Sequence, residues 1–291
     1  MLVADTLFWE EQWQESVDNS PVRNRELNFG TGKMDRWNKM AKDFAGRADS
    51  DKSTARRRET ISDLCVRGIL TKESTVLDIG AGPGTWALPL AEHCRHVTAL
   101  EPAHAMADIM NSRILENGVD NITVHQSTWQ AAELDVLGWH KAFDLVFASM
   151  TPGIDGPSQL KKMIAASRRY CYLSSFAEPG WQIQYAPLWE KFFNESMGKM
   201  SYDIIFPFNL VYAMGFHPSL SIFKWAGENV IDRKEAVRMF TRYFENYMEI
   251  TRETQAAITE YIDSHSKDGR YIRPADIRIG AMIWQVGHRT D

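Results

Sequence analysis

The sequence predicts an α/β fold built on a parallel sheet with helices on both faces. Short β-branched apolar runs alternate with helical stretches between Thr75 and Phe176, a spacing that leaves one crossover helix between successive strands. The first run, Thr75–Ile79, is apolar and ends at glycines, as a strand buried on both sides does.

The elements follow in order. Near the N-terminus, Trp37, Met40, Ala41 and Phe44 fall at i, i+3, i+4 and i+7, one stripe of an amphipathic helix, separated from the aromatic start (Phe8, Trp9, Trp13) by a glycine-bearing stretch at 28–33. A second helix from Ser53 puts Ile61, Leu64, Cys65 and Gly68 on one face, and its Arg56, Arg57 and Arg58 read as a solvated face. After the first strand, a helix is expected over 85–92, then a strand over 96–101, a helix over 102–117 closed by Gly118, and a third strand over 122–125. A fourth strand spans 143–149, a helix 158–167 and a fifth strand 169–176. Beyond Glu178 the alternation stops. Residues 181–200 are partly helical, 219–224 form a strand and 278–286 a closing strand. Asp232 and Glu235 open a helical insertion like a capping box, with Val237, Phe240, Phe244 and Tyr247 at helical spacing. The expected organisation is an N-terminal helical lid (1–50), a core (51–231), a helical insertion (232–276) and the closing strand of the core (277–291).

Composition excludes several functions. Of 291 residues, 44% are hydrophobic and 24% charged, the mixture of a packed globular chain rather than a disordered one. Lys+Arg 33 against Asp+Glu 38 leaves a net charge of −5, so nucleic acid is not the expected partner. Cys65, Cys94 and Cys171 are odd in number and far apart, which fits no disulfide framework and points to a reducing, cytoplasmic compartment. No secretory leader is expected, because acids fall within the first dozen residues. The uncharged run 204–223 has the length of a membrane span, but Pro207, Asn209, Gly215, His217 and Pro218 interrupt it, so a lid or buried wall is expected. His93, Cys94 and His96 lie where a helix gives way to a strand and read as surface groups, not metal ligands.

The chemistry concentrates in Val76-Leu77-Asp78-Ile79-Gly80-Ala81-Gly82-Pro83-Gly84-Thr85. A glycine-rich turn leaving a strand lets a ligand come against bare backbone, with N–H groups of the following helix pointing at it. A dinucleotide site wants glycine where this chain has Thr85. A carboxylate at Asp78 repels a pyrophosphate and suits a cation. Glu101, at the end of the second strand, is placed to accept hydrogen bonds from two ribose hydroxyls. The three features together describe a ligand with a ribose, no phosphate and a positive group.

The segments D-I-G-A-G-P-G (78–84) and A-L-E-P-A-H-A-M (99–106) resemble the class I S-adenosylmethionine-dependent methyltransferase family, over roughly residues 74–176. The resemblance implies a Rossmann-like, doubly wound, mostly parallel sheet of seven strands whose final strand is antiparallel. It implies S-adenosylmethionine as cofactor and S-adenosylhomocysteine as product, with Asp78, Gly80, Ala81, Gly82 and Gly84 at the methionine end and Glu101 on the ribose. Pro102 and Met106 match positions that flank adenine. Where relatives often carry an Asp after the third strand, this chain has Gln126-Ser127-Thr128-Trp129, so Ser127, Thr128 or Trp129 would meet the adenine by hydroxyl or backbone. The Asn/Asp-Pro-Pro-Tyr tetrad of enzymes that methylate nucleic-acid or glutamine nitrogens is replaced by Ser149-Met150-Thr151-Pro152.

The expected function is in-line methyl transfer to a small, fairly apolar or flat acceptor, walled by the N-terminal helices, residues 150–157 and residues 181–216. Trp9, Trp13, Trp37, Trp181 and Trp189 are expected in the core, with Trp13 or Trp37 the ones able to reach a sulfonium. No base is assigned; His217 and Tyr212 are the candidates, with Asp203, Glu178 and His104 beside them. Two other classes stay open: a non-catalytic sensor or assembly protein that binds the same cofactor, and an NAD-dependent oxidoreductase. A homodimer is also open.

Overall fold

A computed structural model describes residues 5–29, 33–178, 181–198, 201–224, 230–273 and 277–287; the glycines at 30 and 32, Met200 and the last four positions lie outside that set. Four helices precede the sheet: α1 (Thr6–Asp18), α2 (Pro21–Phe29), α3 (Lys33–Ala48) and α4 (Asp51–Val66). Strands and helices then alternate as β1 (Thr75–Ile79), α5 (Ala87–Ala91), β2 (His96–Leu100), α6 (His104–Glu116), β3 (Ile122–His125), α7 (Leu134–Leu137), β4 (Phe143–Ser149), α8 (Pro157–Ala166) and β5 (Ser167–Ala177). After β5 come α9 (Ala186–Phe193), α10 (Ile205–Ala213) and β6 (Ser219–Lys224). The insertion holds β7 (Val230–Asp232), α11 (Arg233–Phe244), α12 (Arg252–Ser264), β8 (Ser266–Lys267) and β9 (Arg270–Ile272), and β10 (Arg278–Gln285) closes the chain.

The main sheet has seven strands in the order β3-β2-β1-β4-β5-β10-β6, with β10 antiparallel to both neighbours and the other pairs parallel. Strand order reverses between β1 and β4, which opens a crevice at their C-terminal ends. The apolar residues of β1 divide between two cores: Val76 packs with Ile61 and Leu64 of α4 on one face, and Leu77 and Ile79 with Trp129, Leu160 and Leu173 on the other. That division is why the strand is apolar throughout. Helix α5 is shorter than expected because residues 82–86 form turns before it begins.

Two expectations change. Arg56 and Arg57 are not a solvated face: the Arg56 guanidinium lies 3.0 Å from the centroid of the Phe223 ring, and Arg57 donates to the Ala48 carbonyl at 2.8 Å. One guanidinium covers an aromatic ring and its neighbour caps the end of α3. The insertion is not wholly helical, since β7, β9 and β8 form a second, three-stranded sheet. Strands of two and three residues carry no periodicity to read. Asp232 caps α11 by accepting N–H bonds from Lys234 and Glu235, whereas Glu235 pairs with Arg238 instead of returning to the cap. The insertion shares a core with α9 and α2, in which Tyr185 stacks on Tyr243 with ring centroids 3.7 Å apart.

The uncharged run becomes α10 and β6, and no helix among the described residues is long and apolar enough to cross a membrane. Just before α10, residues 201–204 take up the lane that β4 leaves beside β5. Strand β4 ends with Ser149 opposite Ser174, and two residues on Phe176 bridges Asp203, with the Ile204 N–H donating to the Phe176 carbonyl at 2.8 Å. This segment forms a lintel over the end of β4.

The lintel is seated on Gly280 of β10, where an added Cβ would stand 2.5 Å from Ile204 Cγ2 and 2.9 Å from its Cβ. Gly280→Ala is therefore expected to destabilise the protein by about 1–3 kcal/mol in urea unfolding. Gly46→Ala, in the interior of α3 with nothing within 4 Å, should shift the midpoint the other way, by roughly 0.5–1 kcal/mol.

Candidate functional site

The glycine turn meets the sheet at the crevice between β1 and β4. Gly80, Gly82 and Gly84 have φ of 71°, 58° and 80°, the left-handed region that side chains with a Cβ avoid. Their faces differ. A Cβ on Gly84 would strike Leu88 and Met110, so this glycine is required by core packing. A Cβ on Gly80 would lie 2.1 Å from Thr151 Oγ1, whereas on Gly82 it would meet only Phe44, at 3.8 Å.

The N–H donors of the turn itself are committed to the protein. Gly80 and Ala81 both donate to the Leu100 carbonyl, at 2.8 and 3.1 Å, and Gly84 donates to the Ala81 carbonyl at 3.1 Å. Gly82 donates to Glu101 Oε2 at 2.8 Å, and Ala103 to Glu101 Oε1 at 2.8 Å. With α5 only five residues long, no strong helix N-terminus supplies donors in their place.

Two buried acids sit under this turn. Asp78 is 1% exposed and its Oδ2 is buried without a hydrogen-bond partner. Burial, reinforced by the negative charge of Glu101, pushes the Asp78 carboxyl up to about 8. Burial also raises Glu101, against the pull of the Ala103 and Gly82 N–H groups. The Thr85 hydroxyl is likewise buried without a partner.

Helix α3 covers the side of the turn next to Glu101 and the start of α6. Trp37, Met34 and Phe44 pack with Ala41 against Ala103 and Met106, and Asn38 Oδ1 accepts the Ala105 N–H at 3.1 Å. Pro102 lies half-buried beside them. The end of β3 reaches the same place, since Glu101 donates its N–H to the His125 carbonyl at 3.0 Å, two residues before Ser127. Thr128 Oγ1 caps the next turn by accepting the Ala131 N–H, and Ser127 Oγ donates to the Thr128 carbonyl. The Trp129 ring is core, with its indole N–H on the Gln159 carbonyl, so backbone is what this residue offers the edge. Trp13 is also core, donating to the Ser201 carbonyl at 2.8 Å and stacking on Phe206, whereas Trp37 is the tryptophan beside the cofactor edge. The Trp181 side chain lies outside the described residues.

The structure does not bring His217 or Tyr212 to this crevice. Because β6 runs parallel to β5, its first residue, Ser219, is level through Ile283, Tyr172 and Phe147 with Asp78 but four strands away. At one strand spacing each, that is about 19 Å. His217 lies two residues further down, and both it and Tyr212 are exposed. Parallel register, not sequence distance, decides this. Glu178 and His104 are exposed as well. Asp203 differs: it is buried on the lintel, accepts the Ile205 N–H at 2.9 Å, and is raised by burial and by Glu178. Met150, at the end of β4, adopts a left-handed φ of 52° and delivers Thr151 onto Gly80. Neither Thr151 nor Asn38 carries any signal in the sequence; their roles come from contacts across more than 60 positions. Among the described residues no three His, Cys, Asp or Glu side chains form a metal-binding group.

Residues 76–171 match the family model described as a methyltransferase domain, the span that holds β1 through β5 and the turn. The stretch from β1 into β5 is thus similar to a methyltransferase domain. Two curated proteins are similar. One is an uncharacterised protein of Haemophilus influenzae, 26% identical over 184 residues, 63% of this chain and 62% of that protein. The other is protein-L-isoaspartate O-methyltransferase 2 of Syntrophobacter fumaroxidans, 30% identical over 118 residues, 38% of this chain and 45% of that protein. The matches thus span about half the length of these relatives. Among solved structures, magnesium protoporphyrin IX methyltransferase of Synechocystis with S-adenosylhomocysteine bound shares the fold at a TM-score of 0.53 and 13% identity, covering 86% of this chain and 97% of that one.

The buried Asp78 sets a pH signature. The folded protein holds a proton up to about pH 8 on a group that the unfolded chain releases at 3.8, so this site contributes stability that is lost as pH rises between those values and changes no further above them. Melting temperatures of wild type and Asp78→Asn should approach each other near pH 4, and by pH 8 the variant should be the more stable. Parallel melting curves across that range would show that Asp78 is ionised throughout.

Proposed function

We propose that this protein transfers the methyl group of S-adenosylmethionine to a small-molecule acceptor, with the cofactor lying across the crevice between β1 and β4. One observation carries the reading: a turn whose N–H donors are committed to the protein stands over two buried carboxyls that have no cation among the described residues. Such a site offers nothing to a pyrophosphate and has negative charge in waiting for a positive ligand. An NAD-dependent oxidoreductase is disfavoured on the same ground.

In this reading Asp78, Gly80, Ala81 and Gly82 hold the methionine end, with Gly84 keeping the turn against the core. Glu101, already fixed at both oxygens by backbone N–H groups, accepts from the ribose hydroxyls with its remaining lone pairs. Pro102 and Met106 flank the adenine, and the backbone and hydroxyls of Ser127 and Thr128, with the backbone of Trp129, face its edge. The cofactor supplies a sulfonium-activated methyl for in-line displacement. The protein's part is to hold the acceptor at near-attack distance and to keep water out. Thr151 and the lintel at 201–204 bound the acceptor side, where Phe176 and Tyr202 approach with ring centroids 6.1 Å apart. That lining favours a small, fairly apolar or flat acceptor. A cytoplasmic setting goes with the proposal and is supported by three free thiols.

Titration calorimetry should show S-adenosylhomocysteine binding and no NAD binding. Asp78→Ala should lose most of that affinity while remaining folded, and Glu101→Ala should cost about 1–3 kcal/mol. Tight NAD binding, or variants that bind as wild type does, would remove the assignment.

The N-terminal helices are proposed as a lid over this cofactor, supported by the seating of α3 on Ala103, Met106 and the Ala105 N–H. A chain lacking residues 1–45 is expected to bind S-adenosylhomocysteine at least about tenfold more weakly. Unchanged affinity and dissociation rate in a folded truncated protein would dismiss the lid.

A further inference from the structure

We propose that Arg113 is a positioning residue for the cofactor turn, a clamp that ties the end of α3 to the carbonyl side of residues 80–84. The inference rests on the reading of that turn as the cofactor site.

The N–H side of the turn is held from the sheet, by the Leu100 carbonyl and by Glu101. Its opposite side needs a separate support. Pro83 has no N–H, so its carbonyl is the one backbone group through which it can be hydrogen-bonded. Among the described residues, the side chain that bonds a carbonyl of the turn is Arg113, which donates from Nη1 to Pro83 O at 3.2 Å. Its Nη2 donates to Asp49 Oδ2 at 2.7 Å, one residue beyond the end of α3. The chain leaving α3 is pinned again by Arg57, whose Nη1 donates to the Ala48 carbonyl at 2.8 Å.

Helix α6 makes this arrangement geometrically coherent. Met106, Met110 and Arg113 recur at i, i+4 and i+7, so one helix face carries the residue packed under α3, the residue packed under Gly84 and the arginine on Pro83. A guanidinium can serve two acceptors at once because its donors are fixed in a planar fork, whereas an ammonium on a flexible stem is a point charge. The consequence is coupling. When α3 is seated, Asp49 holds Arg113 in the orientation that fixes Pro83, and the turn keeps the shape that a ligand meets; when α3 lifts, Arg113 loses one of its two anchors. Asp49 acts on the turn through Arg113, since its half-exposed carboxylate reaches no part of the turn itself; its charge also faces Arg57, which holds the end of α3 rather than the turn.

The test is a double-mutant cycle read in S-adenosylhomocysteine affinity by calorimetry, with the melting temperature of each unliganded protein beside it. Arg113→Ala is expected to weaken binding about tenfold and Asp49→Asn about threefold, with unliganded melting temperatures within a few degrees of wild type. Arg113→Lys should behave like Arg113→Ala, and the Arg113→Ala/Asp49→Asn double variant should bind no more weakly than Arg113→Ala alone. Wild-type affinity in Arg113→Ala, whatever its melting temperature, would reduce the contact to an ordinary surface bond and overturn the clamp while leaving the cofactor site intact. Additive losses in the double variant would also overturn it. Failure of the wild-type protein to bind S-adenosylhomocysteine would overturn both the clamp and the site beneath it.

Discussion

Two acids buried side by side, with no counter-ion among the described residues, are the constraint on which this molecule turns. Asp78 and Glu101 end adjacent parallel strands, and each strand is buried on both faces, so neither carboxylate can swing out to water. A protein interior does not keep such a pair ionised: Asp78 is driven to hold its proton, and Glu101 survives by accepting two backbone N–H groups. An arrangement that costs stability in the free protein makes physical sense where a positive ligand completes it.

The rest of the fold is arranged around that crevice. Parallel β1 and β4 bring the turn and Thr151 together, the lintel at 201–204 fills the lane above β4, and α3 lies across the ribose side. The insertion stands apart in a core of its own with α2 and α9, and reaches α3 through Arg242, which bonds Asp43 at 2.7 Å. At the opposite end of the sheet, Asp144 accepts the Thr75 N–H and pairs with Arg168, which holds it down to about 2 and secures the start of β1. The sheet is thus tied firmly by an ion pair at one end and carries two buried carboxyls with raised pKa at the other.

Much of this was readable in one dimension. The strands at 122–125, 143–149 and 219–224 have the boundaries their sequence runs predict; β4 is buried along almost its whole length, whereas β3 and β6 are the partly exposed edges of the sheet and are marked by the turns that flank them. The turn and both acids were readable for a related reason: glycine is demanded wherever backbone must adopt positive φ, and an acid at a buried strand end has few structural uses. The helix after the turn was overread, because residues 82–86 are spent on turns. The arginines of α4 were misread as solvated, because Phe223 and Ala48 come to them from elsewhere in the chain.

The sequence by itself determined the layered sheet, the left-handed glycine turn and the placing of an acid at the ends of two successive strands, since each follows from local backbone preference and from periodicity. Only tertiary structure decided where the remaining chemistry stands. Parallel register carries His217 to the far edge and sets Asp203 beside the end of β5, and helix α10 leaves the Tyr212 side chain exposed. Long-range packing seats Asn38 on Ala105, Thr151 on Gly80 and Arg113 on Pro83. The physical reason is that a strand's neighbours and a side chain's partners are set by how whole elements pack, and no local pattern of residues records that.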